Sequence, residues 1–452
     1  MKLLPHQIKV LEETEDFHNV AYYLDMGLGK TFIGAEKAIQ LRKNILLVCQ
    51  KSKIKDWIEH FETYYSEHPY LIEIFDLTNK KDFERYFTLM KTEDELNPCY
   101  FIGVINYDLI FRRKRLKELT DFTLMLDESS MIQNESAERT KFILKLNPRN
   151  TILLSGTPTS GKYENLWSQI HLLKWDISKE LYNKQYVNWK TLDLGGFKQK
   201  IVDKNNPYKN VDRLKNKLRE HGAVFMKTEE CFELPNQNFI KIKIDKTEEY
   251  NKFMKDSIIR IDTLNLHEFK SHDADGEENM NPNVELVGDT TLTKRLYSRM
   301  LCGQYCKDKI LAFHDLLSST NDRLIVFYNF NEEIDKLKRI CKSYQRPISE
   351  INGTVKDLTN YENEDNSITF VQYQAGAMGL NLQKANKIVY FTLTEKSELF
   401  EQSKKRIHRI GQDKPCFYYL MLCEKSIEED ILKSLEMKRD YTDELFKNFD
   451  KK

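Results

Sequence analysis

The chain has 452 residues, with 70 Lys and Arg against 70 Asp and Glu, so its formal charge at pH 7 is zero. This balance argues against a histone-like or uniformly basic nucleic-acid binder, which carries a large positive excess. At roughly 100–200 residues per domain, the length predicts two to four domains. The eight cysteines include no CxxC pair, which indicates reduced and mostly buried thiols rather than a zinc site.

Short runs of β-branched and aromatic residues alternate with amphipathic stretches in the first part of the chain. This alternation predicts a parallel sheet with helices on both faces. The predicted strands are Val20–Leu24, Ile45–Cys49, Leu71–Phe75, Tyr100–Ile105, Phe122–Leu126 and Thr151–Leu154, and the predicted helices are Thr31–Lys43, Lys53–Tyr64 and Ala137–Leu146.

The middle of the chain is set apart by its charge. Residues 184–219 hold ten basic and three acidic residues, whereas 262–291 hold eight acidic residues and one basic residue. The acidic stretch has the composition of a flexible loop. We predict a first lobe at 1–178, a helical and partly flexible insertion at 179–300, and a second lobe at 301–452.

The alternating pattern returns in the last part of the chain and predicts a second lobe of the α/β class. No run approaches the roughly 20 apolar residues of a membrane span. The predicted strands are Leu324–Tyr328, Ile368–Val371, Ile388–Phe391 and Phe417–Leu422, and the predicted helices are Glu332–Ser343 and Ile427–Met437.

A glycine-rich loop between the first predicted strand and helix has the composition of a phosphate site. Gly27 and Gly29 let the backbone turn its N–H groups towards phosphate oxygens. Lys30 is placed to reach the β- and γ-phosphates, and the Thr31 hydroxyl can ligate Mg²⁺. The alternative is an ordinary glycine turn that caps a helix.

Two acidic residues, Asp127 and Glu128, end an apolar strand further along the chain. An Asp that holds Mg²⁺ and a Glu that activates water are needed beside a phosphate loop. Because strands often end in polar residues, the pair is weak evidence by itself. The position of the pair after the glycine-rich loop in the chain strengthens this evidence.

The series of motifs resembles that of superfamily 2 helicase motors. Ser155–Pro158 ends another predicted strand, Gln402–Gln412 is very similar to motif VI of the SNF2 family of DNA translocases, and Ala375–Leu382 resembles its motif V. Motif II reads Asp-Glu-Ser-Ser, where the family usually has Asp-Glu-Ala-His or Asp-Glu-Gly-His. Further matches are Leu4–Gln7 (Q motif), Asp25–Thr31 (I), Leu46–Phe61 (Ia), Gly103–Leu109 (Ib), Asp127–Asn134 (II), Leu153–Leu173 (III) and Leu324–Leu337 (IV).

This resemblance implies two RecA-like parallel-sheet lobes and a nucleic-acid-stimulated ATPase that uses ATP and Mg²⁺, with a catalytic site completed when the lobes close on nucleotide. Gln7 would contact adenine, and Gly379 and Gln402 would also bind the nucleotide. If residues 402–409 form a helix, Gln402, Arg406 and Arg409 share one face. The planar guanidinium of an arginine suits the charge of a transferring phosphoryl group.

Two basic segments are candidates for contact with a nucleic-acid backbone, which needs positive charge without base readout. The first contains Arg112 and Arg113, just after motif Ib. The second contains Lys198, Lys200 and Lys204 in the basic stretch. For each, the alternative is a solvated surface.

We therefore predict an ATP-dependent motor that moves along double-stranded DNA and remodels protein–DNA complexes or branched DNA. Two alternatives stay open: a strand-separating helicase in replication or repair, and a DNA-binding scaffold with a weakened motor. We expect DNA as the partner, with duplex favoured, and leave open protein partners for targeting. We also expect a monomer without a membrane partner, in the cytoplasm of a bacterium or an infected host cell.

Overall fold

The computed structural model describes residues 2–68, 71–91, 99–193, 196, 198–262, 283–376 and 380–446. The chain divides into two compact units. Unit 1 comprises Met1–Phe232 together with Asp440–Lys452, and unit 2 comprises Glu233–Arg439. In the described part of the chain, no helix combines the length and the apolar character needed to cross a lipid bilayer.

A seven-stranded parallel sheet forms the centre of unit 1. Its strands are apolar and buried, as all five residues of Ile45–Cys49 are, because helices cover both faces of such a sheet. The six strands predicted for the first lobe are confirmed to within one residue at each end. In spatial order the strands are β3 (Leu71–Asp76), β4 (Cys99–Asn106), β2 (Ile45–Cys49), β5 (Thr123–Asp127), β6 (Asn150–Ser155), β1 (Asn19–Leu24) and β9 (Ala223–Met226).

The helices of unit 1 connect these strands, and several begin at residues that cap a helix. The Asn79 side chain accepts a hydrogen bond from the Lys81 backbone N–H, and the Ser178 side chain accepts one from Leu181, which satisfies otherwise unpaired donors. The helices are α1 (Pro5–Glu13), α2 (Lys30–Gln40), α3 (Ile54–Tyr65), α4 (Lys80–Leu89), α5 (Glu138–Ile143), α6 (Trp167–Leu172), α7 (Lys179–Tyr186) and α8 (Val211–Glu220).

Unit 2 is built around a second seven-stranded sheet, parallel except for its last strand. In spatial order the strands are β10 (Gln237–Ile244), β18 (Cys416–Cys423), β17 (Lys387–Tyr390), β13 (Leu324–Tyr328), β16 (Ile368–Gln372), β14 (Ile348–Ile351) and β15 (Lys356–Asp357). The helices are α9 (Glu248–Asp256), α10 (Thr291–Cys302), α11 (Lys307–Ser318), α12 (Asn331–Ser343), α13 (Thr359–Asn363), α14 (Tyr373–Gly376), α15 (Ser397–Lys404) and α16 (Ile427–Phe446), whose last residues belong to unit 1.

The two sheets confirm the predicted α/β class with two parallel-sheet lobes. The region predicted as a helical insertion is different, because it supplies a strand to each sheet. β9 pairs with β1 in unit 1, and β10 pairs with β18 in unit 2. The sequence analysis did not assign β10, although its alternation of isoleucine and lysine between Asn236 and Asp245 is typical of a strand.

Two antiparallel hairpins also lie in the predicted insertion. One joins β7 (Trp189–Asp193) to β8 (Lys198–Val202), and the other joins β11 (Ile258–Asp262) to β12 (Asn283–Val287). The basic stretch therefore contains a β-hairpin as well as helices. Most of the predicted acidic loop, residues 263–282, lies outside the described residues.

Candidate functional site

The loop between β1 and α2 has the form of a phosphate-binding loop. Gly29 is the residue before the helix and has a left-handed backbone with φ of 75°, and Gly27 has φ of 93°. An added Cβ at Gly27 would meet nothing within 4 Å, so the loop backbone is open to a ligand there. The first N–H groups of α2 lack partners within the helix and favour anions.

Lys30 lies at the first position of α2, and its side chain turns back over the loop. Its Nζ donates hydrogen bonds to the Leu24 carbonyl at 2.8 Å and to the Asp25 carbonyl at 3.0 Å. Gly156 of motif III passes close by, because a Cβ built on it would lie 3.5 Å from Lys30 Nζ. Thr31 follows Lys30 in the first turn and is half-buried. The structure therefore brings motifs I and III together around one ammonium group.

Gln7 of the Q motif contacts the same loop from α1. Its Nε2 donates a hydrogen bond to the Leu28 carbonyl at 3.3 Å, and the Leu4 N–H donates to its Oε1 at 2.9 Å. A Cβ added to Gly29 would lie 2.1 Å from Gln7 Nε2. Glycine is thus required at this position for two reasons, its backbone angle and the approach of the glutamine.

Thr228 was not identified from the sequence, yet it holds the start of the loop. Its backbone N–H and its hydroxyl each donate to Asp25 Oδ2 at 3.3 Å. The Asp25 N–H donates to the Met226 carbonyl, at the end of β9. Since β9 was predicted to belong to an insertion, no local pattern pointed to this contact.

Asp127 ends β5 and receives a hydrogen bond from a buried tryptophan of α3. Trp57 Nε1 donates to Asp127 Oδ2 at 2.8 Å. Burial raises the pKa of the Asp127 carboxyl, while the Trp57 hydrogen bond and the charge of Lys30 favour its ionised form. Sequence reasoning assigned Asp127 but missed Trp57, because an apolar helix face does not reveal which ring carries a polar contact.

Glu128 follows directly and adopts a left-handed backbone with φ of 59°. Its Oε1 accepts hydrogen bonds from the hydroxyls of Ser130 and Ser155, both at 2.8 Å. Ser130 stands at the fourth position of motif II, where the family usually has histidine, and Ser155 belongs to motif III. The unusual motif II therefore supplies a second hydroxyl to the glutamate.

Gln169 of α6 connects motif II with motif III. Gln169 Oε1 accepts hydrogen bonds from the hydroxyls of Ser129 at 2.7 Å and Tyr23 at 3.0 Å. Its Nε2 donates to the Pro158 carbonyl at 2.7 Å. Because all three partners lie at strand ends, this buried amide fixes the spacing of β1, β5 and β6.

The motif VI arginines of unit 2 do not lie on a helix face with Gln402, so the prediction of a shared helical face is wrong. Helix α15 ends at Lys404, and residues 405–407 form turns. The Arg406 carbonyl accepts from the Leu382 N–H at 3.2 Å. Directly after α15 the backbone bonds tighten to the i to i−3 pattern, because the Arg406 N–H donates to the Ser403 carbonyl at 3.2 Å and the Ile407 N–H donates to the Lys404 carbonyl at 3.4 Å.

Arg406, Arg409 and Gln402 differ in how deeply they are buried. Arg406 is 2% exposed and donates from Nη1 to the Leu380 carbonyl at 3.3 Å, whereas Arg409 is half-buried and burial lowers the pKa of its guanidinium. Gln402 is buried, and its Oε1 accepts no hydrogen bond from a described residue. Gly379 lies outside the described residues.

The first predicted backbone-binding segment is only partly exposed. Arg113 donates from Nη2 to the Thr78 carbonyl at 2.9 Å and lies over the Phe83 ring at 4.8 Å. These contacts assign its guanidinium to the packing of unit 1. Arg112 is exposed beside Phe111 and forms no ion pair with a described residue.

The second segment is exposed throughout. Lys198 and Lys200 lie on β8, and Lys204 follows it, and all three are exposed. None of them pairs with an acidic side chain in the described ranges, whereas Lys190 on the facing strand pairs with Asp203 at 2.9 Å. The hairpin therefore presents positive charge that the described protein does not neutralise.

A buried cluster of Cys302, Cys423 and Glu428 in unit 2 has the spacing of metal ligands. Lys309 Nζ donates to both Glu428 oxygens, at 2.6 and 2.7 Å. The lysine thus already supplies the positive charge that a metal would bring, so the cluster is a buried ion pair beside thiols. The seven cysteines with described side chains are all free, and six of them are buried, as the sequence predicted.

Comparison with known proteins gives two family matches. Residues 10–300 match the SNF2-related domain, and residues 308–411 match the helicase conserved C-terminal domain. The chain is 22% identical over 450 residues to the putative ATP-dependent helicase/translocase YwqA of Bacillus subtilis. The aligned region covers 94% of this chain and 46% of that protein.

Two further similarities also cover most of this chain. The SWI/SNF-related matrix-associated actin-dependent regulator of chromatin subfamily A member 1 of Mus musculus is 23% identical, over 92% of this chain and 40% of that protein. The solved SWI2/SNF2 ATPase core of Sulfolobus solfataricus in complex with dsDNA is 18% identical, with a TM-score of 0.42, over 98% of this chain and 92% of that one. The chain thus spans less than half the length of the Bacillus subtilis and Mus musculus proteins.

Proposed function

The chain belongs to the family of SNF2-related domains, and on this premise we propose that it is an ATP-dependent motor that moves along double-stranded DNA and remodels what is bound there. The observation that carries the proposal is that Lys30, at the start of the helix after β1, and Asp127 and Glu128, at the end of β5, lie at one edge of the parallel sheet, where the Lys30 charge acts on Asp127. Such edges of parallel sheets are where ligands bind. Lys30, Asp127 and Glu128 are the residue types that phosphoryl transfer to water requires.

The residues at this edge fit a Mg²⁺ ion bound with ATP. The Asp127 carboxylate and the Thr31 hydroxyl are hard oxygen ligands of the kind that Mg²⁺ prefers, and Trp57 fixes one Asp127 oxygen. When bound, Mg²⁺ would neutralise part of the charge on the phosphates. Lys30 would exchange its carbonyl contacts for phosphate oxygens, and Gln7 would contact adenine.

Glu128 is the proposed base for the attacking water. Two serine hydroxyls bind its Oε1, which leaves Oε2 to accept the proton of the water. Hydrogen bonds from Ser130 and Ser155 hold the orientation of the carboxylate. A degenerate motor is therefore not expected from the serines of motif II.

The arginines of motif VI divide into two roles in this proposal. Arg409 is half-buried, and we assign it to the charge that develops on the phosphoryl group. Arg406 is buried and bound to a loop carbonyl, so we assign it to holding the segment that carries Arg409. The exposed lysines of the β7–β8 hairpin are the proposed backbone contacts.

The test is ATP hydrolysis by the purified chain with no nucleic acid, duplex DNA, single-stranded DNA or RNA. We expect duplex DNA to stimulate hydrolysis most, and we expect the motor to displace a triplex strand without separating a plain duplex. Strand separation would favour the helicase alternative. Hydrolysis that no nucleic acid stimulates would overturn the proposal.

A further inference from the structure

A polar groove of about 420 Å³ lies in unit 1 beside the β7–β8 hairpin. Its lining includes the Trp189 side chain, 40% exposed, and the amide side chains of Gln133, Asn134, Asn165 and Asn183. We propose that this groove binds one unpaired nucleobase of a nucleic-acid strand. The inference rests on the proposed function. It adds a binding site for an unpaired base to a motor that otherwise contacts the phosphate backbone.

The wall of the groove supplies the two contacts that a single base needs. An exposed indole offers a face for stacking, which every base can use. Amide side chains pair with base edges, because each carries both a donor and an acceptor. Among the described residues, the Asn183 amide and the Trp189 indole N–H have no hydrogen-bond partner, so both are available to a ligand.

The other amides are held in place by the protein. Gln133 Nε2 donates to the Pro158 carbonyl at 2.9 Å, and Asn165 Nδ2 donates to Gln133 Oε1 at 3.2 Å. Asn134 Oδ1 accepts from the Ser136 N–H and hydroxyl. These bonds orient the amides before a ligand arrives, which lowers the entropy lost on binding.

The charges in the groove favour a base over a phosphate. Glu135 lines it and pairs with Lys179 at 2.6 Å, and Glu164 lines it and accepts from the Tyr208 hydroxyl at 2.9 Å. Lys179 also lines the groove and neutralises Glu135, so the charged side chains of the lining sum to −1, one positive against two negative. This negative charge disfavours a phosphate, whereas carboxylate oxygens accept hydrogen bonds from the amino groups of bases. A neutral, flat group with amino donors is therefore the occupant that this lining fits.

The hairpin places positive charge next to the groove. The antiparallel register pairs Trp189 with Val202 and Thr191 with Lys200, and paired residues share one face of a two-stranded sheet. Lys200 therefore lies on the face of Trp189, as its diagonal neighbour, and Lys198 follows on that face. A strand whose base enters the groove would run its phosphates along these lysines.

The occupant is an unpaired nucleotide rather than a peptide because the aromatic ring, the amides and the unneutralised lysines occur together. Duplex DNA stacks its bases inside the helix, where Trp189 cannot reach them. The groove would therefore give the motor a preference for substrates with a single-stranded tail, gap or branch.

The experiment compares Trp189→Ala and Trp189→Phe with the wild-type chain. Leu192→Ala is the matched control, because Leu192 is 43% exposed on the opposite face of the same hairpin. Binding is measured by fluorescence anisotropy with a blunt duplex and with the same duplex carrying a short single-stranded deoxycytidine tail, because each cytosine carries an amino donor. Hydrolysis of ATP stimulated by the blunt duplex is measured for every variant.

We expect Trp189→Ala to weaken binding of the tailed duplex by about fivefold to a hundredfold, the value of one base stacked on an aromatic ring. Trp189→Phe should restore most of the loss, and Leu192→Ala should change nothing. Equal losses on blunt and tailed duplex, or no loss on either, would overturn the inference. Because the blunt duplex tests the motor separately, failure of the groove leaves its stimulation intact, whereas failure of the proposed function removes it.

Discussion

The carboxyl ends of the strands differ between the two units. In unit 1 the charged side chains at these ends, Lys30, Asp127 and Glu128, are half-buried. Ser155 binds Glu128, and Lys30 lies over its own loop. In unit 2 the corresponding edge buries a glutamate and an arginine. Glu333 is 1% exposed and Arg406 is 2% exposed.

This difference separates two ways of building a site. In unit 1 each group lies at the end of a strand or in the segment that follows it, so the sheet itself sets much of the geometry. In unit 2 the groups are held by contacts between segments distant in sequence, such as Leu380 with Arg406 and Thr392 with Glu333. We therefore expect unit 1 substitutions to affect chemistry alone, and those at buried unit 2 positions to affect stability as well.

The largest expected effect is that of Arg409→Ala, which should lower duplex-stimulated ATP hydrolysis by about 10³-fold or more because an arginine stabilises the phosphoryl charge. The melting temperature should not change, since Arg409 is half-buried. Arg406→Ala should lower both the rate and the melting temperature. Arg260→Ala, an exposed arginine of the second hairpin, is the control. Near-normal hydrolysis in Arg409→Ala would contradict the assignment.

Lys30→Ala tests the unit 1 side of the comparison. We expect hydrolysis to fall by about 10²–10³-fold, the usual loss when one charge-stabilising donor is removed, with an unchanged melting temperature. The rate is measured at saturating ATP and duplex DNA, and Lys145→Ala provides an exposed lysine of the same unit as control. A fall in melting temperature equal to that of Arg406→Ala would remove the distinction between the units.

Replacing Lys198, Lys200 and Lys204 with glutamine tests whether the hairpin belongs to the working surface of unit 1. We expect affinity for blunt duplex DNA to fall by about tenfold, with a slope of log affinity against log salt smaller by about 2–3, because each phosphate contact releases counterions. The matched control replaces Lys80, Lys81 and Lys145, which are also exposed. Equal slopes for both triple variants would exclude the hairpin as a backbone contact.

The separation in sequence between contacting residues, in both units, explains what the sequence predicted and what it did not. The β1 loop and the strand ending in Asp127 follow from local patterns, since glycines, an apolar run and two carboxylates are adjacent in the chain. The contacts of Trp57 with Asp127, Thr228 with Asp25 and Leu382 with Arg406 join residues far apart in sequence. The periodicity of a sequence does not reveal contacts between distant residues. The spacing of Gln402, Arg406 and Arg409 therefore suggested a helix, whereas α15 ends at Lys404.

Glu333 gives the smallest expected effect and tests the buried edge of unit 2 directly. Its Oε2 accepts hydrogen bonds from the Asn329 and Phe330 N–H groups and the Thr392 hydroxyl. Burial outweighs these bonds and raises the pKa of Glu333 from 4.5 to about 7. The folded protein therefore binds this proton more tightly than the unfolded chain, so the contribution of Glu333 to stability is fully present below about pH 4.5 and is lost as the pH rises to about 7.

Glu333→Gln should remove this dependence, because an amide keeps an acceptor for the same three donors and carries no charge. Between pH 7.5 and 5.5 the wild-type chain should gain about 2 kcal/mol of stability relative to the variant, read as a rise of several degrees in melting temperature. Glu364→Gln, at an exposed glutamate of unit 2, should behave as wild type. If the pH dependence is the same in Glu333→Gln as in the wild type, the carboxyl is already ionised when folded, and the edge of unit 2 tolerates charge as the edge of unit 1 does.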